Sequence, residues 1–78
     1  MSAADLVQFL ARGLVDDPDA VRVESVEREG DLVLQLRVAP EDVGKVIGRN
    51  GRMVRALRRV LRATGVREDR RVLLEIVE

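Results

Sequence analysis

The sequence predicts an α+β fold: a two-layer sandwich in the order helix, strand, strand, helix, helix, strand, with a three-stranded mixed sheet carrying three helices on one face. Three observations lead there. Leu32, Leu34, Leu36 and Val38 alternate with Val33, Gln35 and Arg37, the period of a strand, and a tight turn at Glu29-Gly30-Asp31 precedes them. Two helical segments then separate this strand from a last one marked by Val72, Leu74 and Ile76. A tight turn makes the first two strands antiparallel, whereas a two-helix crossover permits the second and third to pair in parallel with a right-handed connection.

Each element has a local cause. Ser2 and Asp5 form a capping box with Asp in place of the usual Glu, and Leu6, Val7, Leu10 and Leu14 follow at helical spacing, predicting a first helix over residues 2–14. Asp16-Asp17-Pro18-Asp19 ends it. Val21 to Arg28 alternates at first and then shifts phase at Val26, which predicts either a bulge or an edge strand. Pro40 stops the central strand and suits a first helical turn, with Glu41 and Asp42 complementing the helix N-terminus and a short helix running to Ile47. In the third helix Met53, Val54, Leu57, Val60 and Leu61 fall within an arc of about 120°, and Arg52, Arg55, Arg58, Arg59 and Arg62 take the other side. Thr64-Gly65 is the expected end of that helix.

Seventy-eight residues with no repeat, low-complexity segment or internal linker predict one domain, 1–78. The absence of cysteine and histidine removes disulfides, thiol chemistry, zinc fingers and histidine bases. Only Ser2, Ser25 and Thr64 carry hydroxyls, none in a nucleophile setting, so the expectation is a protein that is not an enzyme and needs no cofactor or metal. With no signal-like N-terminus and no run of eighteen apolar residues, the chain reads as soluble, cytoplasmic and without a membrane partner. Phe9, the single aromatic, leaves no platform for stacking several bases.

The formal net charge is zero, but residues 44 to 63 hold Lys45, Arg49, Arg52, Arg55, Arg58, Arg59 and Arg62 with no acid among them. Gly48 and Gly51 flank Arg49-Asn50 at the start of this cationic segment. Glycine tolerates positive φ and lets another backbone come close, and the helix opening at Arg52 offers unpaired N–H groups to an anion. Lys45, Arg49 and Arg52 can add charge-assisted contacts, and Asn50 tolerates left-handed geometry. The rival reading is a helix–turn–helix corner with a solvated arginine face, which is the better account of two glycines alone. The third helix reverses that preference, because its arginines have no acid at i+4 and their mutual repulsion is relieved by a polyanion. Arg55, Arg59 and Arg62 share a face with Arg52 and extend the same track, simple solubility being the alternative for Arg62. Gly44, inside a short helix, predicts either a close approach or an early helix end.

The run Val46-Ile47-Gly48-Arg49-Asn50-Gly51-Arg52-Met53-Val54 between two helices of a β-α-α-β unit resembles the signature of KH domains, whose GXXG loop clamps about four nucleotides. The preceding helix and strand match the type II arrangement. From Pro40 to Arg58 the chain is similar to the short stand-alone bacterial KH RNA-binding proteins of the KhpA family, and the resemblance covers about residues 2–78.

That resemblance implies an RNA-binding protein that grips single-stranded RNA, a post-transcriptional regulator or RNA chaperone. Gly48, Arg49, Asn50 and Gly51 would track the backbone with Lys45 and Arg52 beside them and Arg55 and Arg59 beyond. Val46, Ile47 and Val54, with Val33 or Leu34, would form an apolar floor for bases, although helical phase suits Ile47 and Val54 equally to the core. The family also implies homodimers and pairing with a larger KH-containing RNA-binding protein. Two other readings stay open: a protein–protein interaction or dimerisation module with incidental nucleic-acid binding, and a binder of single-stranded DNA.

Overall fold

The computed structural model describes residues 1–67 and 69–78, with residues 64–67 described by their backbone alone. Ser2 caps α1 (Ala3–Leu14) in a complete capping box: its hydroxyl accepts from the Asp5 N–H and the Asp5 carboxylate accepts from the Ser2 N–H, each at 3.1 Å. These bonds hold the Asp5 carboxyl below its ordinary pKa. A 3-10 turn at Pro18–Ala20 leads to β1 (Arg22–Arg28), which pairs antiparallel with β2 (Asp31–Arg37) in an unbroken register from Arg22 opposite Arg37 to Arg28 opposite Asp31. Glu29 and Gly30, both at positive φ, therefore form a two-residue type I′ turn, the hairpin connection whose twist matches the strands. There is no bulge: β1 is an edge strand, and the phase shift at Val26 records a side chain on the sheet face away from the helices.

After a 3-10 turn at Pro40–Asp42, α2 (Val43–Ile47) and α3 (Arg52–Arg67) lead to β3 (Val72–Val77), which pairs parallel with β2. The sheet order is β1-β2-β3, as the hairpin and crossover argument requires. Gly65 does not end α3, which runs to Arg67.

The core lies between the sheet and all three helices. Leu32, Leu34, Leu36, Val72 and Leu74 face Ala3, Val7 and Ala11 of α1, Val46 of α2, and Val54, Leu57 and Leu61 of α3. Burial of such aliphatic side chains contributes about 1.5–3 kcal/mol each, so this layer dominates the stability of so small a chain. On the opposite face Val26, Val33 and Leu73 form one cross-strand row. The rows flanking it supply Arg28 and Glu75, whose 2.9 Å ion pair spans the row and leaves Val33 buried on a face that no helix covers. Glu75 also accepts from Gln35 at 3.2 Å, and with Arg28 this holds its carboxyl below the ordinary range.

Candidate nucleic-acid interface

The loop between α2 and α3 is built by backbone constraints at Gly48, Asn50 and Gly51. Gly48 closes α2, its N–H donating to the Gly44 carbonyl at 2.8 Å, and then adopts φ 77° and ψ 169°, a conformation open essentially to glycine alone. A Cβ at Gly48 would also stand 2.8 Å from both Cβ and N of Met53, so close packing reinforces the backbone requirement. Asn50 is left-handed at φ 55° and Gly51 lies at φ 74°, with the Gly51 N–H donating to the Gly48 carbonyl at 3.1 Å. The result is a tight 3-10 turn that delivers the chain directly into α3, the Arg52 N–H donating back to the Arg49 carbonyl. Such a junction of turn and helix N-terminus favours an anion.

Charge follows the same geometry. Arg49, Asn50 and Arg52 are exposed, as are Arg55, Arg58, Arg59 and Arg62 farther along α3. Among the described residues none of these arginines meets a carboxylate. Arg55 instead donates to the Asn50 carbonyl at 2.7 Å, and Arg58 makes a long 3.4 Å contact with the Leu74 carbonyl. That contact places Arg58, which the sequence reading left out of the site, beside β3.

Several expected site residues sit elsewhere. Lys45 is engaged by carboxylates of the fold: its ammonium donates to Asp16 at 2.9 Å and to Asp42 at 3.2 Å. These partners raise its pKa, the Asp16 hydrogen bond most. Asp42 is fully buried and also accepts from the Asp17 N–H at 3.1 Å. Burial opposes its charge, but the backbone donor at Asp17 and the Lys45 ammonium outweigh it and hold the carboxyl below its ordinary value. Lys45 and Asp42 thus tie the start of α2 to the α1–β1 connection.

The apolar floor is also different from expectation. Val46 is fully buried and Val54 is 8% exposed, so both support the loop from beneath. Leu34 belongs to the core, and Val33 lies on the sheet face opposite the helices. Ile47 is only partly buried and packs against the core. Gly44 meets no close neighbour, since a Cβ there would find open space, and α2 continues past it.

Compared with known proteins, residues 4–76 match the family model described as KhpA/KhpB, KH domain. The chain belongs to the KhpA/KhpB KH-domain family. Within it, the protein named RNA-binding protein KhpA of Clostridium acetobutylicum is 49% identical over 72 residues, covering 92% of this chain and 96% of the relative. Its namesake in Aquifex aeolicus is 50% identical over 74 residues, covering 95% and 94%. A crystal structure of Aquifex aeolicus Era shares the fold, with a TM-score of 0.65 at 20% identity over 95% of this chain. The KhpA/KhpB-type chain spans 29% of Era, so that likeness concerns the fold alone. Gly48-Arg49-Asn50-Gly51 forms the turn between α2 and α3.

Proposed function

We propose that this chain binds single-stranded RNA by holding its sugar–phosphate backbone at Gly48–Gly51 and along the arginine face of α3. The observation that carries this reading is the joining of a glycine-constrained turn to a helix N-terminus whose surrounding arginines have no carboxylate partner among the described residues. Arg49 and Arg52 lie beside the backbone, and Arg59 and Arg62 continue the track. The relatives' name, RNA-binding protein KhpA, points the same way.

Grip on about four nucleotides by backbone contacts supports modest affinity and little base preference. A second KH module, from another copy or from a larger KH protein, would raise avidity without any new contact type. Such a protein fits a cytoplasmic post-transcriptional regulator or RNA chaperone.

The test is titration of labelled single-stranded RNA and DNA oligonucleotides at two salt concentrations, with the Arg49→Asp, Asn50→Asp double variant beside the parent. Losing Arg49 and adding two carboxylates at the backbone grip is expected to weaken RNA binding by about 100-fold or more with the fold intact by circular dichroism. A folded double variant that binds RNA as well as the parent overturns the reading. Equal affinity of the parent for DNA widens the ligand class to single strands in general.

A further inference from the structure

To receive an anion the Gly48–Gly51 loop has to keep its tight turn and direct its carbonyl oxygens away from the ligand; the Gly48 and Gly51 N–H groups already serve the turn, donating to the Gly44 and Gly48 carbonyls. The Gly48 carbonyl is occupied by the Gly51 N–H. The Asn50 carbonyl is the one directed at a charged side chain, the Arg55 guanidinium, whose Nη1 donates to it at 2.7 Å. The same Nη1 would lie 3.2 Å from a Cβ on Gly51, so the guanidinium is packed along the loop backbone. It has chosen a neutral carbonyl in a segment, residues 44 to 63, that contains no acid. A hydrogen bond with one ionised partner is about twice as strong as a neutral one, which suits it to hold a backbone whose Asn50 sits at positive φ.

We propose that Arg55 is a positioning residue for the backbone grip: it fixes the Asn50 carbonyl against α3 and so holds the shape of the Gly48–Gly51 turn, while Arg49 and Arg52 meet the phosphates. The proposal rests on the RNA-binding reading above and assigns different work to two arginines one helical turn apart.

The experiment compares Arg55→Met with Arg52→Met in the full chain, reading RNA affinity against salt concentration and amide exchange in the free protein. Each phosphate contact on a single strand contributes about 0.7 to the slope of log affinity against log salt. Arg52→Met is expected to lower that slope by roughly this amount and to leave loop exchange unchanged. Arg55→Met is expected to weaken binding about 10-fold with the parent's slope, and to speed exchange of the Gly51 amide relative to Leu34 in the core, which reports the global fold. A slope lowered by about 0.7 in Arg55→Met, or Gly51 exchange that does not change relative to Leu34, overturns the assignment. If the parent binds no RNA, the nucleic-acid reading fails by itself, and the exchange comparison still decides whether Arg55 holds the loop.

Discussion

Arginine meets two different environments in this protein. Around the sheet, Arg28 pairs with Glu75 at 2.9 Å, Arg70 with Glu27 at 2.9 Å, and Arg71 with Asp31 through two hydrogen bonds at 2.7 and 3.2 Å. Along the loop and α3, Arg49, Arg52, Arg55, Arg58, Arg59 and Arg62 meet no carboxylate among the described residues. The chain does not lack acids; it distributes them so that β1 and β2 carry both signs and β3 adds Glu75, while residues 44 to 63 carry cations alone. The same contrast holds for the backbone. The strands run in regular register, whereas the loop gathers Gly48, Asn50 and Gly51 at positive φ. One region is internally satisfied, and the other joins a glycine-dependent turn to cations without carboxylate partners among the described residues.

The backbone side of this contrast gives the largest expected effect. Gly48→Ala forces a side chain into a glycine-only conformation and against Met53, and is expected to cost about 2–4 kcal/mol in chemical denaturation. Gly44→Ala, four residues earlier, meets open space and removes a helix-interior glycine, so a gain of about 0.5–1 kcal/mol is expected. Equal effects at the two positions would show that the loop is not strained in the way its dihedrals indicate.

The charge side is sharpened by Arg59→Glu set against Arg71→Glu. Glutamate at 59 acquires Arg55 at i−4 and Arg62 at i+3, so α3 holds its stability or gains a few tenths of a kcal/mol. RNA affinity is nevertheless expected to fall about 10-fold, because one cation of the track becomes an anion. Arg71→Glu breaks the Asp31 pair and is expected to lower the Tm slightly while leaving RNA affinity within about threefold of the parent. Comparable losses of affinity at both positions would mean that overall charge, and not the α3 face, attracts the ligand.

The smallest effect belongs to the paired region and is read by pH. Asp42 and Glu75 both have folded-state pKa values below the ordinary ones, 3.8 and 4.5. Their contribution to stability is therefore complete above the ordinary values and is lost as pH falls through the lower, folded ones. Lys45 is raised above 10.5, so its contribution is present below that pH and lost as pH climbs through the folded value. Tm measured across pH is expected to be flat near neutrality and to drop at acid pH, with a shallower acid drop in Asp42→Asn. An unchanged acid limb in that variant would remove Asp42 from the account.

Much of this was legible along the chain. The Ser2–Asp5 box, the Glu29-Gly30 turn, the period-two pattern of β2 and the glycine loop are local devices, each decided within a few residues, and the structure places all of them where sequence spacing indicated. What spacing alone did not show lies mostly where partners are distant in sequence. Lys45 has the spacing of a loop cation, yet its ammonium is held by Asp16, 29 residues away. Val46 and Val54 border the loop in sequence but point into the core, and Gly65 was read as a stop although α3 runs on to Arg67. A glycine only weakens a helix by about 1 kcal/mol, which tertiary packing readily overrides.

The amino-acid sequence by itself determined the order of elements, the mixed sheet and the location of the loop, because periodicity, caps and turn chemistry act over short range. Only the tertiary structure decided which cations remain available. Lys45 is taken by carboxylates brought beside it by the fold, Arg55 by the Asn50 carbonyl that the tight turn presents to it, and Arg49, Arg52, Arg59 and Arg62 are left without an acid within reach among the described residues. Ion pairs and hydrogen bonds depend on distance in space, and the folded chain sets that distance.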